Sequence, residues 1–231
     1  MSLGAIALIG MRGFMFDFAA ARAHMIEGQI RTNDVTDLDV LAVFRRISRE
    51  NFMPRAQSSL AYSDVNIDLG EGRYMPRPRD FAKMVQAANI KPSDIVLDVA
   101  CGRGYSTAIL AGLADTVVGL EDNAERVEQA TQALINAGVD NAAIVEGDLK
   151  SGAKQHGPFN VIFVNGAVPK IVPTWVDQLT NDGRLIVIVK SGPVGRACVM
   201  TKSGDAIGER IEFDASLPIL TGFEAVPEFE F

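Results

Sequence analysis

The chain has 231 residues, of which 48% are hydrophobic, 22% are charged and 7% are aromatic, a composition that excludes a disordered or low-complexity protein. Its length suits one large domain or one domain with a modest extension. Because 22 Lys and Arg stand against 29 Asp and Glu, the net charge is −7, and such a chain lacks the broad positive field that binds nucleic acid.

The cysteine and histidine content argues against metal and disulfide chemistry. The two cysteines, Cys101 and Cys198, cannot form a disulfide framework, and no group of Cys and His has the spacing of a zinc site. The apolar runs are too short to cross a bilayer. We therefore expect a cytoplasmic protein in a reducing compartment, with no metal and no membrane partner. The sequence leaves the oligomeric state open.

Residues 1–14 are set apart from the fold prediction. Met1, Ser2 and Leu3 resemble a cloning scar, and Met11 or Met15 is a candidate for the natural start. We therefore treat residues 1–14 as a tag or a mis-assigned start that need not be ordered.

Residues 15–90 predict a helical extension. Apolar residues recur at helical spacing over residues 18–30 and 38–47, and Asp37 stands where it can cap the second of these helices. Residues 54–78 are rich in Gly and Pro and predict an irregular loop, and residues 81–88 predict a third short helix.

Residues 91–231 predict an α/β domain, because strand-like and helix-like segments alternate along it. Such alternation favours a doubly wound, mostly parallel sheet. The last two strand-like segments flank Ser203-Gly204-Asp205 and predict a C-terminal antiparallel hairpin. The predicted strands cover residues 95–99, 116–120, 143–145, 160–164, 184–190, 197–201 and 209–213, and the predicted helices cover 105–113, 124–137 and 172–179.

A glycine-containing turn follows the first strand of this domain. Gly102 and Gly104 lie between a buried strand and a helix, where a ligand can approach the backbone closely. A dinucleotide fingerprint would need a third glycine where Thr107 stands. Asp98, at the end of the strand, would repel a pyrophosphate and attract a ligand that carries an ammonium and a sulfonium.

Two further acids are placed to complete such a nucleoside site. Glu121 lies at the end of the next strand, where a carboxylate can accept both ribose hydroxyls, and Asp148 follows the third strand within reach of an adenine amino group. The three acids together favour S-adenosylmethionine over NAD, and Asp98 and Thr107 disfavour an NAD-dependent oxidoreductase. The alternative is that each acid caps a helix or lies in a solvated loop.

The sequence resembles the class I S-adenosylmethionine-dependent methyltransferases, and more narrowly the protein-L-isoaspartate O-methyltransferase family. Residues 47–54 (Ile-Ser-Arg-Glu-Asn-Phe-Met-Pro) are similar to the family's Val-Pro-Arg-Glu-x-Phe-Val-Pro. Residues 61–64 resemble its Ala-Tyr-x-Asp, and residues 70–72 (Gly-Glu-Gly) resemble its Gly-x-Gly-Gln. The similarity continues through residues 147–148, 167–173 and 182–185, so it covers about residues 25–189.

The resemblance implies a Rossmann-like methyltransferase fold in which residues 15–90 form a lid over the methyl acceptor. It implies methylation of L-isoaspartyl residues in damaged proteins or peptides, with no nucleic acid partner. Asn165, just after a strand, is a candidate to line the cofactor cleft. The residues expected to contact S-adenosylmethionine are Asp98, Ala100, Gly102, Gly104, Tyr105, Glu121, Asp122, Gly147, Asp148, Leu149 and Asn165.

The sequence departs from the family at two places. The family has a glycine at Ala100, where a methyl group is tolerable if φ is negative. The family's Gly-Gln-Thr-Ile-Ser-x-Pro becomes residues 72–78, so that the hydroxyls beside the acceptor carboxylate are replaced by Tyr74 and Pro76.

We expect the acceptor to be held by Tyr74 and by one arginine of this segment, with Arg77 preferred over Arg73 and Arg79, because arginine binds carboxylates well. An acceptor carboxylate is ionised at neutral pH and needs no general base. Two alternatives stay open: methylation of another acceptor, such as a small acid, and a catalytically silent protein that binds S-adenosylmethionine. Ala100 and Pro76 favour the second.

Overall fold

The computed structural model describes residues 16–224, so the predictions for residues 1–14 lie outside the described part of the chain. The first helix, α1 (Phe18–Met25), continues through a wider turn at Ile26–Ile30. The second, α2 (Leu38–Arg46), begins as predicted, because the Asp37 carboxylate accepts hydrogen bonds from two backbone amides of its first turn.

The prediction of an irregular loop over residues 54–78 is wrong for its second half. Strands β1 (Ile67–Gly70) and β2 (Arg73–Met75) form an antiparallel hairpin. Its turn holds φ angles of 90°, 51° and 74° at Gly70, Glu71 and Gly72. Strands of three and four residues are too short for an alternating pattern to stand out beside such a turn. Helix α3 (Pro78–Ala88) then begins at a proline, three residues earlier than predicted.

The predicted parallel sheet is confirmed. Seven strands lie in the order β5-β4-β3-β6-β7-β8-β9; the first five are parallel and the last two antiparallel. The strands are β3 (Ile95–Val99), β4 (Thr116–Glu121), β5 (Ala142–Glu146), β6 (Phe159–Val168), β7 (Leu179–Val189), β8 (Gly195–Ser203) and β9 (Ala206–Ala215). The helices between them are α4 (Tyr105–Ala111), α5 (Ala124–Asn136) and α6 (Pro173–Asp177).

The strand order reverses beside β3, which pairs with β4 on one side and with β6 on the other. The connections from these neighbouring strands leave in opposite directions, so a crevice opens at the carboxyl ends of the strands. The turn of Gly102 and Gly104 stands at this crevice. The topology therefore places the predicted site where open α/β sheets bind ligands.

One apolar core joins the N-terminal segment to one face of the sheet. Phe81 of α3 lies at its centre, with its ring centroid 5.6 Å from Phe44, 5.5 Å from Tyr105 and 5.7 Å from Phe163. A second apolar cluster, which contains the fully buried Trp175, covers the other face. The N-terminal helices are thus fixed against the strands that carry the crevice.

Candidate active site

The turn after β3 requires both of its glycines. Gly102 and Gly104 have φ angles of 60° and 85°, a region that side chains other than glycine rarely adopt. A Cβ atom on Gly102 would also lie 3.2 Å from Leu69 Cδ1, and one on Gly104 would lie 3.4 Å from the Ala130 carbonyl. The two glycines therefore allow β1 and α5 to approach the turn closely.

Ala100 adopts the same left-handed conformation with a side chain present. Its φ is 58° and it is buried, so the negative φ that would make a methyl group tolerable at this position is not found. Its backbone N–H donates to the Leu120 carbonyl at 3.0 Å, which holds the residue in place. The turn thus carries backbone strain of ~1 kcal/mol that the family's glycine would avoid.

Asp98 is fully buried at the end of β3 and is held by three side chains. Ser106 Oγ and Thr107 Oγ1 donate to its carboxylate at 2.7 and 2.6 Å, and Asn165 Nδ2 donates to the other oxygen. Burial raises the pKa of Asp98 to about 7 against the opposing effect of these donors. A cation beside Asp98 would stabilise the ionised form, so the position suits the ammonium that the sequence predicts.

Glu121 is fully buried at the end of β4 and faces the same turn. One of its oxygens accepts the Gly102 N–H at 2.7 Å, so the acid and the turn are fixed together. Arg126 Nε donates to the other oxygen at 3.2 Å. Asp98 and Glu121, 23 residues apart, therefore meet at the crevice as the sequence predicts.

Arg73 of the β1–β2 hairpin forms an ion pair with Glu121. Its Nε lies 3.0 and 3.1 Å from the two Glu121 oxygens, and its Nη2 donates to Asp122 at 2.9 Å. The side chain is only 2% exposed. A ribose that bonded Glu121 would have to displace this guanidinium.

Asp148 follows β5, the strand that pairs with β4, and its carboxylate is bonded within its own turn. It is exposed, and its carboxylate accepts the backbone N–H of Ser151 at 3.0 Å and the Ser151 hydroxyl at 2.6 Å. The Ser151 hydroxyl lowers the pKa of Asp148. Its neighbours are structural: Gly147 donates its N–H to the Glu121 carbonyl at 2.8 Å, and the Leu149 carbonyl accepts the indole N–H of Trp175.

Tyr74 and Arg77, the two residues expected to hold the acceptor, contact different parts of the structure. Tyr74 is half-buried in β2 and borders the space above the glycine turn. Arg77 Nε donates to Asp80 at 2.7 Å, and the same carboxylate accepts from Arg79 at 3.0 Å. The Arg77 guanidinium therefore already has a buried anionic partner.

The hairpin fills most of the crevice. Leu69, Tyr74 and Pro76 lie on one side, and Ala100, Gly102 and Tyr105 on the other, with a cavity of about 10 Å³ between them. That is roughly the space of a single water molecule. The donors and acceptors thus fit S-adenosylmethionine chemically, whereas this cavity is too small to hold it, and a larger one of about 240 Å³ lies beside Arg73, Gly102 and Arg126.

The prediction from sequence missed several contributors to this site. Ser106 and Thr107 lie in the first turn of α4, eight and nine residues after Asp98, and both hydroxyls donate to it. Two hydroxyl residues at the start of a helix that follows a buried acid could have indicated these contacts. Arg73 and Arg126 reach Glu121 from 48 residues before it and five residues after it. Nothing in the spacing of Arg73 indicates that contact.

Residues 16–224 contain neither a cluster of metal-binding side chains nor a helix that could span a membrane. In that part of the chain, no group of three or more His, Cys, Asp or Glu is arranged to hold a metal ion. No helix there is long and apolar enough to cross a membrane.

The chain was compared with protein families and with known proteins. The family model "Protein-L-isoaspartate(D-aspartate) O-methyltransferase" matches residues 20–214. A protein-L-isoaspartate O-methyltransferase of Methanoculleus marisnigri is 36% identical over 77% of this chain and 79% of its own. One of Koribacter versatilis is 34% identical over 85% of this chain and 88% of its own.

Solved structures support the fold. A structure named protein-L-isoaspartate O-methyltransferase superimposes with a TM-score of 0.75 at 24% identity, over 87% of this chain and 66% of that one. A Plasmodium falciparum structure, solved with S-adenosyl-L-homocysteine, gives a TM-score of 0.74 at 18% identity over 90% and 99%.

These matches confirm the family, the fold class and the S-adenosylmethionine-dependent methyltransferase class that the sequence predicts. The family model alone spans most of the chain. The chain belongs to the protein-L-isoaspartate(D-aspartate) O-methyltransferase family.

Proposed function

We propose that this protein transfers the methyl group of S-adenosylmethionine to the carboxylate of L-isoaspartyl residues in damaged proteins or peptides. The observation that carries the proposal is the pair of fully buried carboxylates, Asp98 and Glu121, at the ends of two adjacent parallel strands. Both are bonded to the glycine turn or to the helix that it opens. This arrangement suits a cationic nucleoside that carries no phosphate.

Each acid has a separate part in this proposal. Asp98 would hold the ammonium of the cofactor, and Glu121 would accept the two ribose hydroxyls. Asn165 orients Asp98 through its amide, and its own Oδ1 is buried without a partner within residues 16–224. When bound, the cofactor supplies an electrophilic methyl group on a sulfonium. Contacts from Ala100, Gly104, Tyr105, Asp122, Gly147, Asp148 and Leu149 to the cofactor belong to the same proposal.

Cofactor entry requires the β1–β2 hairpin to lift from the glycine turn. Leu69 packs on Gly102, and Arg73 bonds to Glu121, so both contacts must break for the ribose to reach its acid. The ion pair between Arg73 and Glu121 opposes this movement. Its loss is offset when the ribose hydroxyls take over the Glu121 oxygens and the Asp98 carboxylate gains a cation.

The methyl acceptor needs orientation and no general base. An isoaspartyl carboxylate has a pKa of ~4 and is ionised at neutral pH, so the protein has to hold it behind the methyl group and exclude water. Such positioning can supply ~7 kcal/mol or more of the barrier in the best cases. Tyr74 and Arg77 remain our candidates for this role, with Arg77 released from Asp80 when the acceptor arrives.

A silent cofactor-binding protein is the second candidate function. It is favoured by the filled crevice, by Arg73 on Glu121 and by Pro76, which has no hydroxyl to offer an acceptor. A third candidate is a methyltransferase of this fold that acts on another carboxylic acid.

Methanol release separates these functions. The assay compares an isoaspartyl peptide with its normal aspartyl twin, in the presence of S-adenosylmethionine. Methanol release with the isoaspartyl peptide, and none with the aspartyl peptide, supports protein repair. Cofactor binding without release from either peptide would contradict it and leave the silent or differently directed protein.

We also infer a reducing compartment, the cytoplasm, as the site of action. Cys101 and Cys198 are both free and buried, which suits a protein that never forms disulfides. The net charge of −7 favours protein or peptide partners over nucleic acid.

A further inference from the structure

Arg49 carries a buried positive charge that forms no salt bridge within residues 16–224, although Asp64 is near enough to act on that charge. Its side chain is 0% exposed at the start of the short turn Arg49–Phe52. Nη2 donates to the Pro76 carbonyl, while Nε and Nη1 have no hydrogen-bond partner among residues 16–224. Burial lowers the pKa of Arg49. An unpaired buried charge is costly, and a ligand that brings the opposite charge would offset that cost.

A second buried donor lies beside this guanidinium. Arg49 Cζ is 5.0 Å from the centroid of the Tyr105 ring. The Tyr105 hydroxyl is also buried and, within the described residues, has no partner. Burial raises the pKa of Tyr105, so the hydroxyl keeps its proton. The guanidinium and the phenol lie close enough to interact with each other, and within residues 16–224 no carboxylate accepts a hydrogen bond from either of them.

These donors stand at the edge of the cofactor crevice. Pro76 and Tyr105, which both contact Arg49, line the small cavity between the hairpin and the glycine turn. The same cavity is lined by Ser106 and Asn165, the residues that bond to Asp98. Arg49 does not itself line this cavity, so a ligand that entered next to Asp98 would meet Tyr105 first and would reach Arg49 only through the residues that contact it.

We infer that Arg49 and the Tyr105 hydroxyl bind a carboxylate that enters this crevice. The chemistry fits because a carboxylate accepts several hydrogen bonds and supplies the missing negative charge. Two ligands bring such a group: the amino-acid end of the cofactor and the acceptor peptide. The assignment of the carboxylate to one of these two ligands rests on the proposed function, whereas the carboxylate site itself does not.

Acetate tests the site without cofactor or peptide. We compare the melting temperature in sodium acetate and in sodium chloride of equal ionic strength, for the full chain and for Arg49→Met. Acetate should stabilise the wild type, and Arg49→Met should lose that effect while melting at or above the wild-type temperature, because an unpaired charge has gone. Arg46→Met, which removes an exposed charge three residues earlier, should respond to acetate like the wild type.

Arg49→Lys covers the case in which Arg49→Met does not fold. It keeps the charge but not the planar set of donors, so it should retain a reduced acetate effect. A purely structural arginine predicts the opposite pattern: both variants would melt lower, and acetate would act equally on all four proteins. That pattern would overturn the inference.

Calorimetry then identifies the carrier. If the cofactor supplies the carboxylate, Arg49→Met should bind S-adenosylhomocysteine at least ~10-fold more weakly and 5′-methylthioadenosine, which lacks the amino-acid end, unchanged. If the acceptor supplies it, the variant should bind S-adenosylhomocysteine normally and, in its presence, the isoaspartyl peptide at least ~10-fold more weakly.

The two proposals fail in different ways. A wild type that binds neither nucleoside nor peptide but responds to acetate through Arg49 contradicts the proposed function and supports the carboxylate site. Unchanged affinities in Arg49→Met, together with an acetate effect that does not depend on Arg49, overturn the site and leave the proposed function standing.

Discussion

At the scale of single residues, the site combines strain with buried charge. Ala100 holds a left-handed backbone, Asp98 and Glu121 carry carboxylates that are 0% exposed, and Arg49 a guanidinium that is 0% exposed. Each of these features lowers the free energy of unfolding. Such costs concentrate where a protein is shaped for a ligand.

The strain at Ala100 is measurable by Ala100→Gly. Glycine adopts a φ of 58° without the side-chain penalty, whereas its extra freedom in the unfolded chain opposes the gain. We expect the free energy of unfolding to rise by ~0.5–1 kcal/mol in urea denaturation. Ala133→Gly, inside helix α5, is the matched control and should lose ~1 kcal/mol. A loss at both positions would show that Ala100 is not strained.

Asp98 makes stability depend on pH. Burial raises its pKa from 3.8 to about 7, so between these values the folded protein holds a proton that the unfolded chain has released. The contribution of Asp98 to the free energy of unfolding therefore falls as the pH rises from about 4 to 7, and it does not change further at higher pH. Relative to Asp98→Asn, the wild type should lose up to ~4 kcal/mol across this window.

Urea denaturation at several pH values checks this prediction. Asp205→Asn, in the exposed turn of the β8–β9 hairpin, reports the effect of removing a surface carboxylate. A stability difference between the wild type and Asp98→Asn that stays constant from pH 4 to 8 would refute the raised pKa.

At the scale of elements, the β1–β2 hairpin borders the crevice and contacts both Glu121 and the glycine turn. It is joined to the end of β4 through Arg73 and packs on the glycine turn through Leu69. The sequence predicted an irregular loop where this hairpin stands, so the contact of Arg73 with Glu121 became visible only in three dimensions.

Arg73→Gln restores the residue that the family carries at this position and removes the guanidinium from Glu121. We expect S-adenosylhomocysteine to bind ~10-fold more tightly in calorimetry, because the ribose no longer competes with an ion pair. The free energy of unfolding should fall by ~2–3 kcal/mol, less than for a fully broken buried pair since Arg126 still bonds Glu121. Arg210→Gln, which removes an exposed arginine of β9, should change neither value. Weaker binding in Arg73→Gln would instead make Arg73 part of the nucleoside site.

The elements that the sequence predicted well are those whose pattern is local. Strand β3 has the predicted bounds, because a short apolar run buried on both faces is distinctive. Asp98 and Glu121 meet as predicted because parallel strands bring their carboxyl ends to one edge. Asp148 accepts hydrogen bonds from Ser151 in its own turn, and its contact with the cofactor stays a prediction. The partners of Arg73 and the isolation of Arg49 depend on packing between distant segments, which no spacing encodes.

At the scale of the whole molecule, the N-terminal segment and the sheet form a single body around the crevice. Phe44 and Phe81 of the N-terminal segment pack in the same core as Phe163 of β6. A ligand between the hairpin and the sheet would therefore stabilise the entire fold through one site.

Ligand-dependent melting tests this coupling. At about 100 times its dissociation constant, S-adenosylhomocysteine should add ~2.7 kcal/mol and raise the melting temperature by ~5–10 °C in one cooperative transition. NAD at the same concentration should leave it unchanged. Two separate transitions, of which the ligand shifts only one, would contradict a single coupled body.

The central claim is that buried carboxylates make this crevice a site for a cationic nucleoside. Calorimetric titration of the full chain with S-adenosylmethionine tests it most directly, with Asp98→Asn and Glu121→Gln alongside. We expect one site per chain in the wild type, at least ~10-fold weaker binding in each variant, and no heat with NAD. Absence of binding to the wild type, or equal affinity in all three proteins, would contradict it.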